Sequence, residues 1–110
     1  MSGMVPERNH RYVRRMVTLH IEHPITDYET WRTAFDRFGD ARLQAGVVSE
    51  RVARPFDDPR YIVVDLDFES AERAVNFREF LETQVWSSTA ASPGLAGRPR
   101  TAILEPALES

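Results

Sequence analysis

Apolar and polar residues alternate from Met16 to Glu22. Val17, Leu19 and Ile21 fall on one side, and Thr18, His20 and Glu22 on the other. A period of two with β-branched residues predicts a strand. Pro24 should end it, because proline has no amide hydrogen for the ladder. The period then lengthens. Tyr28, Trp31, Phe35, Phe38 and Ala45 share one helical stripe, with Ala34 and Ala41 beside it, while Glu29, Arg32, Asp36, Arg37 and Asp40 take the other side. Thr26 and Glu29 have the spacing of a capping box, which predicts a helix start at Thr26. Asp27 adds a negative charge in the first turn, where the helix dipole favours it. The helix should run to about Ala45, with Gly46 just past its end. Gly39 is its weak point, costing about 1 kcal/mol relative to alanine and allowing a bend.

The same reading continues downstream. Residues 47–54 alternate as a second strand. Pro55-Phe56-Asp57-Asp58-Pro59 is turn chemistry. Tyr61 to Phe68 is the strongest strand in the chain, with Ile62, Val64, Leu66 and Phe68 on one face and Tyr61, Val63, Asp65 and Asp67 on the other. The two runs form an antiparallel hairpin. Ser70 caps a second helix whose stripe is Ala74, Phe77, Leu81 and Val85, with Phe80 at its edge. Residues 86–99 are small, polar and broken by glycine and proline, and read mainly as a loop. Residues 100–105 form a last short strand between Pro99 and Pro106.

The order β-α-β-β-α-β predicts an α+β ferredoxin-like fold: a four-stranded antiparallel sheet with both helices on one face. The domain should span residues 15–106. A basic leader precedes it (1–14) and a short tail follows (107–110). Neither face of the predicted sheet is consistently polar, so the face without helices should carry an apolar patch that a second sheet would cover. A two-fold homodimer is the simplest closure.

Composition narrows the function. The chain has 110 residues, with 17 acidic and 14 basic side chains and a net charge of −3. That size fits one domain with a small core. The charge disfavours nucleic acid as the main partner, since phosphate binding needs a clustered positive surface. Asp65 and Asp67 stand where an RNA-binding sheet of this order would need a basic face. No apolar run reaches the ~20 residues of a membrane span, and no secretory signal is evident, so a cytoplasmic protein is expected. The absence of cysteine removes disulfides and thiolate chemistry. There is no nucleophile elbow, P-loop or dinucleotide-binding glycine pattern.

The run Asp27-Tyr28-x-x-Trp31-x-x-x-Phe35-Asp36, with Ala45-Gly46-Val47, Asp57-Asp58-Pro59 and Val63-Val64, resembles the dimeric α/β-barrel superfamily. Its nearest relatives there would be proteins like the antibiotic-biosynthesis monooxygenases. The resemblance covers about residues 16–105 and rests on spacing and order. It implies a ligand pocket between sheet and helices. The superfamily includes cofactor-free oxygenases of polyketide ring systems, haem-degrading enzymes, lactone isomerases and proteins of no known activity. No complete catalytic motif of the family is matched residue by residue.

The candidate residues follow. His20 or Asp65 would act as general base, by virtue of a near-neutral imidazole or a carboxylate raised by burial. Trp31, Phe35, Phe38 and Trp86 would be the walls of an aromatic-binding cavity, and Arg42 would hold an anionic group. Each has a plainer role: interface histidine, carboxylate paired with Arg51 or Arg54, core aromatic, or arginine snorkelling to water. His20 and Glu22 share a strand face but His23 points the other way, so no metal site is expected. The resemblance implies a cofactor-free oxygenase in which the base deprotonates an acidic aromatic substrate and the resulting carbanion reacts with dioxygen. The alternative is a non-catalytic dimeric binding or scaffold protein. The two differ on one point: a buried ionisable group converging on an open apolar cavity, or that space filled by Trp31 and Phe38.

Overall fold

The computed structural model describes residues 16–107. The leader 1–14 and residues 108–110 of the expected tail lie outside the described residues. The elements are β1 (Val17–Pro24), α1 (Tyr28–Arg37), α2 (Gly39–Ala45), β2 (Ser49–Ala53), β3 (Tyr61–Phe68), α3 (Ala71–Phe80) and β4 (Arg100–Leu104). A π-helical turn, Leu81–Val85, continues α3. The four strands form one antiparallel sheet in the order β2-β3-β1-β4, the ferredoxin-like arrangement.

The start of α1 differs from the capping-box expectation. Asp27, not Thr26, is the N-cap: its carboxylate accepts from the Thr30 amide at 2.8 Å and from the Thr30 hydroxyl at 2.9 Å. The Thr26 amide instead donates to the Gly94 carbonyl at 2.9 Å, so a distant loop satisfies the group that Glu29 was expected to bind. The single long helix is also two. The chain breaks at Phe38, immediately before Gly39, and α2 restarts from there. Gly46 ends α2 at φ +99°, in the left-handed region that glycine adopts without a side-chain clash.

One sheet face and the helices enclose the core. Val17, Leu19 and Ile21 of β1, with Ile62, Val64, Leu66 and Phe68 of β3, are buried against Trp31, Ala74, Phe77, Leu81 and Val85. Period two in the strands and the stripe of α3 therefore meet as their sequence spacing dictates. The opposite sheet face is not the apolar patch expected from sequence. Thr18, His20, Glu22, Tyr61, Asp65 and Asp67 stand on it, tied to one another side chain to side chain. Satisfying one another lets these polar groups sit half-buried on a sheet face that no helix among the described residues covers.

Residues 86–99 cross from the π-helical turn to β4 without helix or strand of their own. They are nevertheless fastened. Besides the bond to Thr26, the Ala96 amide donates to the Pro24 carbonyl at 3.1 Å, and Leu95 forms an isolated bridge with Ile25. Gly94 permits this contact: a Cβ there would lie 2.8 Å from the Trp31 backbone.

Candidate functional site

A cavity of about 70 Å³ lies between the inner sheet face and the helices. Ile21 and Val64 form its floor. Trp31, Phe35 and Phe38 form one wall, Leu81 and Val85 another, and Trp86 and Leu95 close a side. Trp31 stacks on Phe35, with ring centroids 4.7 Å apart, and is 8% exposed. This pair lies on one stripe because its residues are four apart on α1. Trp86 arrives at the end of the π-helical turn, its amide donating to the Leu81 carbonyl at 2.7 Å. All four sequence-predicted aromatic walls thus line the cavity, with Arg42 beside them.

Arg42 does not snorkel. It is 7% exposed, its Nε donates to Glu50 at 2.8 Å and one terminal nitrogen donates to the Phe35 carbonyl at 2.7 Å. Its guanidinium carbon sits 3.6 Å over the Phe35 ring. A buried charge needs such partners. The result fixes the end of α1, the start of α2 and β2 around one side chain.

His20 and Asp65 lie elsewhere. Both project from the sheet face away from the helices and neither lines the cavity. His20 Nδ1 is 2.7 Å from Asp65 and Nε2 is 2.9 Å from Glu22. Two carboxylate partners favour two N–H donors, so these contacts favour the protonated ring, which has no free lone pair. The Glu22 bond is the main reason the His20 pKa is raised, with Asp65 contributing and partial burial opposing. Glu22 is lowered in turn by His20 and by the Tyr61 hydroxyl, which donates to it at 2.7 Å. The neighbouring Asp67 accepts from Arg51, Ser49 and Thr18, and the Arg51 bond foremost holds its carboxyl well below the usual range.

The cavity also holds a histidine beside Arg42: His23, which sequence reasoning set aside. It is 3% exposed. Its Nδ1 donates to the Pro24 carbonyl at 2.9 Å, since a carbonyl can only accept. That fixes the neutral tautomer with a lone pair on Nε2, for which no protein partner exists among the described residues. Burial pushes the His23 pKa down, only partly opposed by the Pro24 bond. The Trp86 ring meets it edge-on at 6.5 Å. Parity along the strand was the available signal: His23 continues the face of Val17, Leu19 and Ile21.

The fold has solved counterparts. SnoaB from Streptomyces nogalater, a cofactor-independent oxygenase, superposes with a TM-score of 0.64 at 14% identity, covering 86% of this chain and 96% of that one. A monooxygenase from the gene ActVA-Orf6 of Streptomyces coelicolor, solved in complex with nanaomycin D, gives 0.60 at 18% identity, covering 89% and 93%. A dimeric ferredoxin-like protein from an uncultured marine organism gives 0.56 at 8% identity, covering 86% and 98%. No protein-family model matches the chain, and no curated protein sequence does. Among the described residues no helix is long and apolar enough to cross a membrane. The resemblance read from the sequence therefore holds at the level of fold: this chain has the ferredoxin-like architecture of antibiotic-biosynthesis-monooxygenase proteins.

Proposed function

We propose that this protein is a cofactor-free oxygenase of small acidic aromatic compounds, working as a cytoplasmic homodimer, with the reaction centred on the cavity beside Trp31. The observation that carries this reading is His23: a buried imidazole, its Nδ1 committed to the Pro24 carbonyl, on the wall of a mainly apolar cavity that also holds Arg42. Burial disfavours the charged ring and so keeps His23 in the neutral form, the only form that can act as a base. The proton acceptor in the proposal is accordingly His23. His20 and Asp65 face away from the cavity, and His20 has both nitrogens committed.

The steps balance without a cofactor. His23 Nε2 takes the phenolic proton, and the phenolate places electron density on its para carbon. That carbon forms a C–O bond to dioxygen, and the proton returns from His23 to give a hydroperoxide. Loss of water, with cleavage of the O–O bond and of the ring C–H bond, leaves a quinone. One phenol and one dioxygen give one quinone and one water. Trp31 and Phe35 hold the ring, and Arg42 lends positive potential while remaining paired to Glu50.

The dimer is supported by the likeness to a dimeric ferredoxin-like fold. A non-catalytic binding protein using the same cavity is the competing reading. Incubation with single-ring phenols under ¹⁸O₂ separates the two. Oxygenation predicts one labelled atom in the quinone and dependence on His23. Binding without label or oxygen uptake would leave the binding-protein reading in its place.

A further inference from the structure

Two exposed features at one end of the sheet match each other. The first is the tip of the β2–β3 hairpin, where Phe56 stands fully exposed beside Asp57 and Asp58. A lone surface phenylalanine is ordinary, but this one is held out on a braced turn. Pro55 and Pro59 bracket it, the Asp58 amide donates to the Pro55 carbonyl at 3.2 Å, and the Asp58 carboxylate accepts from the Arg60 amide at 3.0 Å. The second is an open depression of about 740 Å³ beside β4. Trp86, Leu95 and Pro99 give it an apolar lining, with Glu82 on its helical side and Arg98 on the side leading into β4. Asp57, Arg60, Glu82 and Arg98 each lack an ion-pair partner among the described residues.

Tip and depression belong to opposite edges of one sheet. β2 and β4 are its outermost strands, with β3 and β1 between them, about 14 Å apart at the ~4.8 Å spacing of strands. Both features nevertheless lie at the same end, since Ala53 pairs with Val63, Tyr61 with Pro24 and Glu22 with Arg100. A two-fold axis running along the strands between two facing sheets keeps that end and exchanges the edges. The β2 edge of each copy then lies over the β4 edge of the other. Residues 54–60 extend the hairpin up to about 12 Å past the last ladder pair, enough to reach around that edge. We propose that each copy seats its Phe56 in the partner's Trp86 depression, with its Asp57 against the partner's Arg98 and its Arg60 against the partner's Glu82. The inference rests on the homodimer of the proposed function and names the contact that joins it. A phenylalanine ring against a tryptophan gains both buried area and an aromatic contact, and a braced turn loses little freedom on docking.

The full chain has no cysteine, so cross-linking reads the contact directly. Asp57→Cys combined with Arg98→Cys should oxidise to a covalent dimer, while each substitution alone should not. Within one chain the two positions stand beyond the roughly 7 Å that a disulfide spans. Sedimentation equilibrium supplies the second measurement. Phe56→Ser should raise the dimer dissociation constant at least about tenfold, as loss of an aromatic anchor does, and its circular dichroism should stay native because the ring is fully exposed in the single chain. Arg98→Asp should weaken the dimer, and adding Asp57→Arg should restore it. A native dimer that neither cross-links in the double variant nor weakens in Phe56→Ser would overturn the inference while the homodimer stands, leaving the depression to a small-molecule occupant. A native chain that stays monomeric throughout the micromolar range would overturn both. Efficient cross-linking of either single variant would place the two-fold axis elsewhere and overturn the edge exchange.

Discussion

His20 and His23 stand three residues apart on one strand and occupy opposite chemical environments. His20 lies on the polar sheet face between Asp65 and Glu22, and its partners raise its pKa. His23 lies on the apolar face, and burial lowers its pKa. The strand's period of two is the whole cause: an odd displacement moves a side chain through the sheet. One imidazole is favoured as a cation by its two carboxylate partners. The other is held neutral with a lone pair to offer. The same residue type thus becomes a structural ion on one face and a candidate base on the other.

The sharpest way to break this contrast is to remove each ring in turn. His23→Gln should lower the rate of phenol oxygenation by about 10²- to 10⁴-fold, the usual range for loss of a positioned base. His20→Gln should change it by no more than a few-fold, because that ring never meets the cavity. Oxygen uptake with a single-ring phenol reads both. A larger loss from His20→Gln than from His23→Gln would reverse the assignment.

Stability should divide the two faces in the same way. Trp31→Ala removes a buried ring that stacks on Phe35, and should cost about 3–5 kcal/mol. Arg51→Ala breaks an ion pair to Asp67 at 2.8 Å on the other face. An exposed pair of that kind contributes about 1 kcal/mol or less. Urea denaturation measures both. Comparable losses would mean that the polar face is buried more deeply in solution than in the single chain.

Much of this was legible beforehand. The strand Tyr61–Phe68 was readable to its ends, because alternation over eight residues between strong turn signals leaves little choice. Ser70 and Gly46 punctuate their helices as their chemistry requires. The capping residue of α1 was not legible. Thr26 and Asp27 both suit an N-cap, and what decides between them is the Gly94 carbonyl taking the Thr26 amide, a contact made across 68 residues. The aromatic walls could be named from the stripe of α1, yet the base could not. His20 carries the more familiar signal, a histidine near carboxylates, whereas His23 is notable only for continuing an apolar face. Arg42 was expected to hold an anion or reach water. Its partner Glu50 sits on another element, which no periodicity links to it.

A smaller effect tests how firmly residues 86–99 seal the apolar side. Gly94→Ala places a methyl 2.8 Å from the Trp31 backbone, which cannot yield as a flexible side chain would. The loop must lift, at about 1–3 kcal/mol. Denaturation reads the cost. Hydrogen exchange at the Thr26 and Ala96 amides should quicken at the same time, since both depend on the docked loop.

The smallest expected effect has opposite signs at the two histidines. Each is compared with an ordinary value of 6.5. His20 is raised in the fold, so its contribution is fully present below 6.5 and fades as pH climbs through the higher folded value. His23 is lowered in the fold, so stability holds above 6.5 and declines as pH falls toward its folded value, where only the unfolded chain takes the proton. His20→Gln should therefore be most destabilised relative to the native chain on the acid side of 6.5, the gap closing toward alkaline pH. His23→Gln should show the reverse trend, losing the native chain's acid sensitivity. Denaturation midpoints on both sides of 6.5 check this. Parallel pH profiles for the two variants would mean that the sheet does not separate two environments, and the case for a neutral base at His23 would fall with it.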